Sequence, residues 1–159
     1  MSTCIIVSGV AGVGKSTWIQ NYIKESYLKS TTVLDISLDN LRFQMFGKYS
    51  DLTHQEEKAT WVEVIKEAVE GSSKYQYVII DSTALKNKRR MWYYNQLKNY
   101  FNKFMLVIFN ASLETCLTQN RQRDRQVPNR VIEDMYNYKE EPNEEVIKSY
   151  NNILRIDKK

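Results

Sequence analysis

Residues 9–17 read GVAGVGKST, directly after the β-branched run TCIIVS at positions 3–8 and before a stretch with helical character. Gly9, Gly14, Lys15 and Ser16 fall into the pattern Gly-x4-Gly-Lys-Ser, between a predicted strand and a predicted helix as that pattern requires. Glycines let backbone amides converge on phosphate oxygens, and the opening turn of the helix adds the positive end of its dipole. The expected ligand is a nucleoside triphosphate, ATP or another NTP, bound with Mg2+ by the backbone of Gly9, Gly12, Val13 and Gly14. Lys15 is expected to bridge the β and γ phosphates, Ser16 to ligate Mg2+ through its hydroxyl, and Thr17 to support the loop.

Working outward, further strands are expected at residues 32–36, 77–81, 105–109 and 153–156, and the helix opened by Lys15 should run to about Tyr27. Other helices are expected from Asp39 to about Phe46, stopped by Gly47, and from the Thr53/Glu56 capping box to about Gly71. Three more should follow: Asn87 to about Phe101, Ser112 through Thr118, and one with Pro128 at its first position ending near Tyr138. Strands separated by helices of this length close as right-handed crossovers. The expected fold is therefore α/β: a three-layer P-loop kinase fold with a parallel sheet of about five strands and an arginine-rich lid at about 121–128.

A chain of 159 residues suits one domain, and 42% apolar against 26% charged residues is the composition of a globular chain with a real core. No apolar run approaches the roughly 20 residues that span a bilayer, so the expected place is the cytoplasm, with no membrane partner. Cys4 and Cys116 lack metal or redox spacing and read as buried, reduced thiols. A net charge of +4 permits polyanion binding without requiring it. Oligomeric state has no signature here.

The loop alone leaves a switch, a mechanical ATPase and a kinase open. Asp81 ends a strand in the position of a Walker B acid, either in the Mg2+ region or as a cap of the next turn. Ser82 follows it where many hydrolytic ATPases carry a glutamate, and no Asn-Lys-x-Asp guanine signature occurs. Asp39 opens the helix after the second strand, with Arg42 one turn on, at the sheet edge where α/β proteins bind ligands. A carboxylate there can take a proton from an attacking hydroxyl, and the arginine can hold an acceptor phosphate. Arg121, Arg123, Arg125 and Arg130 crowd one segment with Asp124 alone opposing them, as in a lid that stabilises charge on a moving phosphoryl group. The run KNKRR at 86–90 puts cations at a helix start, where the dipole disfavours them, and reads as a solvated basic turn, with an anion such as polynucleotide phosphate as the alternative that would relieve the charge. Trp92, Tyr93 and Tyr94 beside it are packing aromatics or base-stacking ones. His54, the only histidine, has no assigned role.

Taken in order and spacing, GVAGVGKSTW, LDNLRFQMFG, VIIDSTALKNKRR and NRQRDRQVPNRVIEDMY resemble the kinase domain of bacteriophage-type polynucleotide 5'-kinases, over about residues 4–138. The resemblance implies transfer of the γ-phosphate of an NTP to the 5'-hydroxyl end of DNA or RNA with Mg2+, in nucleic-acid end healing, and a phage or bacterial source. It makes Asp39 the general base, puts Arg42 on the scissile or acceptor phosphate, and favours Arg123 as the lid arginine over Arg125 and then Arg121, with Arg121 expected at the bound nucleotide. Thr83 and Val127 match positions touching the acceptor nucleotide. Ala11 replaces a common loop proline, and Leu38 stands where a relative carries an arginine. At this length no fused phosphatase or ligase domain is expected. The alternatives are a related kinase for a nucleoside, a sugar acid or a hydroxymethylated DNA base, and less favourably a nucleotide-dependent switch.

Overall fold

The computed structural model describes residues 2–157. The elements run β1 (Thr3–Ser8), α1 (Lys15–Leu28), β2 (Val33–Ser37), α2 (Leu38–Phe46), α3 (His54–Ser72), β3 (Tyr77–Asp81), α4 (Asn87–Leu97), β4 (Lys103–Asn110), α5 (Leu113–Arg121), α6 (Asn129–Tyr138), α7 (Glu144–Ser149) and β5 (Asn152–Asp157). The sheet has the order β2-β3-β1-β4-β5, and every pairing is parallel. β1 is the central strand, which puts residues 9–17 at the middle of the sheet's C-terminal edge.

Side chains alternate across the pleat, so each strand feeds two cores. Cys4, Ile6, Val78, Ile80 and Leu106 face Val64 and Ala68 of α3 and Tyr93 and Leu97 of α4. Ile5, Val7, Ile79 and Val107 face Ile19 of α1, Cys116 of α5 and Ile132 of α6. A strand buried on both faces has to be apolar throughout, which is why β1, β3 and β4 read as unbroken hydrophobic runs. The result is the expected three-layer P-loop fold. Cys4 and Cys116 are buried free thiols in different cores, and no helix among the described residues is long and apolar enough to cross a membrane.

Several boundaries differ from expectation. The cap of α2 is Ser37, whose Oγ accepts from Asn40 N at 3.3 Å, so Asp39 sits inside the first turn. Pro128 is likewise the N-cap of α6 and not its first helical residue. α4 stops at Leu97, four residues early, because Tyr100 N turns back to Leu97 O and Phe101 leaves the helix to pack in the core. α5 runs to Arg121, three residues beyond Thr118. α7 was not expected: a six-residue helix capped by Asn143, whose Oδ1 accepts from Val146 N at 3.0 Å.

The KNKRR segment is corrected most. Arg90 is 1% exposed and donates to Ala84 O, Asn87 Oδ1, Glu140 O and Ser8 Oγ. It is a buried strut between the sheet and the α6–α7 connection, not part of a solvated turn. The anion at the N-terminus of α4 is the chain's own: Glu140 Oε1 accepts from Asn87 N at 2.9 Å. Tyr93 is fully buried with its hydroxyl donating to Ser82 Oγ at 2.9 Å, and Tyr94 packs on Phe104, so both are packing aromatics.

Candidate functional site

The loop 9–17 closes over its own lysine. Lys15 Nζ donates to Gly9 O at 2.7 Å and Ser82 O at 3.4 Å, and Gly9 N donates to Thr83 O at 2.9 Å, tying the loop to the end of β3. Gly12 and Gly14 adopt φ of 84° and 103°, a left-handed backbone that only glycine enters freely. Burial pulls Lys15 below the ordinary lysine range, opposed by the charges of Asp81 and Asp39. Burial pushes Asp81 up, opposed chiefly by Lys15. The lysine is thus held by two carbonyls at the floor of the loop.

A cavity of about 630 Å³ opens above this floor. Among its walls are Gly12, Gly14, Lys15, Ser16 and Thr17 from the loop, Asp39 and Arg42 from α2, Asp81 and Thr83 after β3, and Arg123 and Arg125 from the segment between α5 and α6. Asp39 is the meeting point of three segments. Its Oδ1 accepts from Arg42 Nη1 at 3.2 Å and its Oδ2 from Arg125 Nη2 at 2.5 Å. Arg42 also forks onto Glu57 of α3, Nε to Oε1 at 2.8 Å and Nη2 to Oε2 at 3.3 Å. Burial opposes the Arg42 charge, yet the Glu57 hydrogen bonds and the two carboxylates raise its pKa overall. Its expected contact with an acceptor phosphate therefore competes with two carboxylates already in place.

The lid arginines divide the work. Arg123 lies on the loop: a Cβ added to Gly12 would meet Arg123 Cδ at 3.2 Å and Nη1 at 3.3 Å. Nη1 is buried without any hydrogen-bond partner. Burial and the neighbouring Arg125 lower the Arg123 pKa. A buried, unpaired guanidinium nitrogen beside a phosphate-type loop is a donor set completed by phosphate oxygens, so the residues present fit a bound triphosphate. Arg125 serves the Asp39 side, and its guanidinium carbon stands 4.2 Å from the Tyr49 ring centre. Arg121 is exposed, donates to Thr118 Oγ1 at 3.4 Å and is not among the cavity walls. Val127 is also outside the walls: its backbone is clasped by the Asn120 carboxamide and its side chain packs on the core beside Ile132.

Mg2+ also fits. Ser16 is exposed on the cavity wall with Asp81 nearby, and among the described residues no cluster of three or more His, Cys, Asp or Glu forms an all-protein cage. One hydroxyl, one carboxylate and substrate phosphates are an ordinary Mg2+ environment. Sequence reasoning missed Glu57, Tyr49 and Asp35. Asp35 lines the cavity floor with Oδ1 unpartnered, and burial, with the charge of Asp81 adding to it, pushes its carboxyl up to about 6. The one signal for Asp35 was an acid inside an otherwise apolar strand.

A glycine loop between a buried central strand and the helix it opens, with a buried lysine below and an unpaired guanidinium above, defines a P-loop nucleotide-binding protein. The chain belongs to the AAA domain family, which it matches over residues 4–142. It is 29% identical over 132 residues to the L-seryl-tRNA(Sec) kinase of Methanococcus maripaludis, covering 83% of this chain and 50% of the relative. It thus spans about half the length of that curated relative. In structure it resembles a chain of the Pnkp1/Rnl/Hen1 RNA repair complex (TM-score 0.75, 18% identity, 86% of this chain and 43% of that one). It also resembles Chaetomium thermophilum Kti12 in complex with ADP-AlF3 (TM-score 0.72, 19% identity, 97% and 88%) and a gluconokinase from Sinorhizobium meliloti 1021 (TM-score 0.65, 17% identity, 98% and 82%).

Proposed function

We propose that this chain is an ATP-dependent polynucleotide 5'-hydroxyl kinase. The observation that carries the reading is the shared cavity: Lys15, Ser16 and Arg123 line it together with Asp39, which is bound by Arg42 and Arg125. Many hydrolytic ATPases carry a water-activating glutamate directly after the Walker B acid, and here Ser82 follows Asp81 instead. In the proposed step the acceptor hydroxyl takes the place of Arg125 at Asp39 Oδ2 and passes its proton to that oxygen. The acceptor oxygen then bonds to the γ-phosphorus as the bond from that phosphorus to the β–γ bridging oxygen breaks, releasing ADP. Lys15 and Arg123 hold the charge that develops on the moving group. Mg2+, when bound at Ser16 near Asp81, would neutralise charge on the β and γ phosphates. Arg42, anchored by Glu57, holds Asp39 in line, and Thr83, which lines the cavity, is proposed at the acceptor nucleotide.

The acceptor class rests on the motif resemblance and is supported by two RNA-associated relatives, a seryl-tRNA(Sec) kinase and a chain of an RNA repair complex. A second reading, a kinase for a sugar acid or nucleoside, draws on the near full-length likeness to a gluconokinase. The two separate by acceptor. With γ-labelled ATP and Mg2+, a 5'-hydroxyl oligonucleotide should be labelled, while its 5'-phosphorylated form, nucleosides and gluconate should not. Label on gluconate or nucleosides with none on the oligonucleotide would move the assignment to the second reading.

A further inference from the structure

Beyond the cavity that holds Asp39 lies a second groove of about 910 Å³, and the two share Trp61 and Thr83 as walls. The new groove is lined by Lys86, Lys88 and Arg89, with Trp92 and Tyr138 beside them. Arg89 is held in an unusual way for this chain. Its guanidinium carbon stands 3.8 Å from the Trp61 ring centre and 4.9 Å from that of Trp92. The indoles meet edge to face at 5.5 Å, so Arg89 is fixed by two aromatic surfaces.

Arg42, Arg90, Arg125 and Arg155 each give their donors to carboxylates or carbonyls. Among the described residues, the side chains of Arg89, Lys86 and Lys88 make no ion pair or hydrogen bond. Stacking orients a guanidinium and leaves its in-plane N–H groups open, which is how an arginine is readied for phosphate. Two acids share the groove. Glu140 accepts from Asn87 N and Glu145 is exposed on α7, so three cations outnumber two carboxylates along the groove. Cations seated on aromatic faces, Arg89 on Trp61 and Trp92 and Lys86 on Tyr138, with their donors left open, suit one ligand class best, the charged backbone of a nucleic-acid strand.

We propose that Arg89, clamped by Trp61 and Trp92, is a phosphate subsite for the acceptor strand beyond its first nucleotide, so that the chain selects acceptors by length. The inference rests on the polynucleotide reading above and names the part of the strand that the second groove holds. A sugar acid or nucleoside at Asp39 would leave these cations untouched.

The test compares kcat/KM with saturating Mg-ATP for a nucleoside 3'-monophosphate, a 5'-hydroxyl dinucleotide and a 5'-hydroxyl hexanucleotide, the last as DNA and as RNA. In the unmodified protein the hexanucleotide should exceed the mononucleotide by about 10-fold or more, and in Arg89→Gln that ratio should fall below about 3. Each protein is its own control. Binding of the unreactive 5'-phosphorylated hexanucleotide, followed by tryptophan fluorescence with Mg-ADP present, should lose about 0.7 from its log–log salt slope in Arg89→Gln, the share of one single-strand phosphate contact. Arg89→Lys, which keeps charge but not the fork, should fall between the two. Labelled oligonucleotides without a length gain, or a gain that survives in Arg89→Gln, would overturn the subsite and leave the polynucleotide reading standing. Label on a nucleoside or sugar acid and on no oligonucleotide would overturn that reading itself.

Discussion

Arg125 Nη2 donates to Asp39 Oδ2 across 86 positions of sequence, joining the segment between α5 and α6 to the first turn of α2. Both groups are part exposed, 36% and 44%, so the pair is screened and can open. Each Asp39 oxygen has an arginine partner, Arg42 on Oδ1 and Arg125 on Oδ2. A hydroxyl can reach this carboxylate only by displacing one of them, and Arg125, without a second acidic partner, is the one that yields.

Asp39→Asn keeps the size and the hydrogen-bonding oxygen while removing the base. General-base losses run to about 10²–10⁴ in rate, so kcat should drop at least about 100-fold while the Mg-ATP dissociation constant stays within about 3-fold. Steady-state kinetics and calorimetric titration check the two halves. Full turnover in Asp39→Asn would remove the residue as the base.

Arg123 and Arg125 should fail in different ways. Arg123→Ala removes the unpaired donor beside Gly12 and should cost about 10³ in kcat with a smaller loss of nucleotide affinity. Arg125→Ala unlocks Asp39 and should change the acceptor KM more than kcat. The reverse pattern would transfer the transition-state role to Arg125.

Glu57→Gln tests whether Arg42 is held or merely adjacent. Releasing the fork should let Asp39 wander by a fraction of an ångström and lower kcat about 10-fold, with acceptor KM and melting temperature little changed. A change in melting temperature with no kinetic effect would make the Arg42–Glu57 pair purely structural.

Asp35 gives a pH signature. Its carboxyl titrates near 6 when folded against an ordinary 3.8, so the folded state binds the extra proton between those values and stability falls as pH rises through them. Asp35→Asn should therefore stabilise the nucleotide-free protein by about 1–2 kcal/mol at pH 7.5, allowing for partial exposure, and by nothing below about pH 4. Thermal melts at the two pH values measure it. A gain equal at both would mean that the charge was never the cost.

Arg90→Ala leaves Ala84 O, Glu140 O and Ser8 Oγ short of a buried donor and opens a void between the sheet and the α6–α7 connection. A loss of about 3–5 kcal/mol in urea unfolding is expected, against less than about 0.5 kcal/mol for Lys88→Gln on the exposed side of the same helix.

The contrast between these residues explains what was legible in advance. The loop, its strand and its helix are local, and a few consecutive residues dictate them through backbone freedom and hydrophobic continuity. Asp39 and Arg42 could be found because a helix start beside the loop at a parallel-sheet edge is a recognisable place. Glu57 could not, since nothing in α3 marks it as the partner of a residue fifteen positions earlier. Arg90 was read with its charged neighbours, and only the packing of α4 on β1 turns that one side chain inward. Arg123 and Arg125 differ by two positions, and the irregular turn that carries them decides which one meets the loop and which meets Asp39. α7, at six residues, is less than two turns long, too short for periodicity to register.

The pairing of β1 carries a consequence for synthesis. Thr3 lies beside Tyr77 on one side and Lys103 on the other, while β2, the next strand made, sits beyond β3. A nascent chain that has emerged as far as α3 therefore has two strands that cannot touch each other, and its nucleotide loop hangs from an unpaired one. At roughly 5–20 residues per second, the loop waits several seconds for both walls of its seat. During that interval the apolar run at 3–8 is an open strand edge, and the loop is not seated between paired strands until β4 has joined β1.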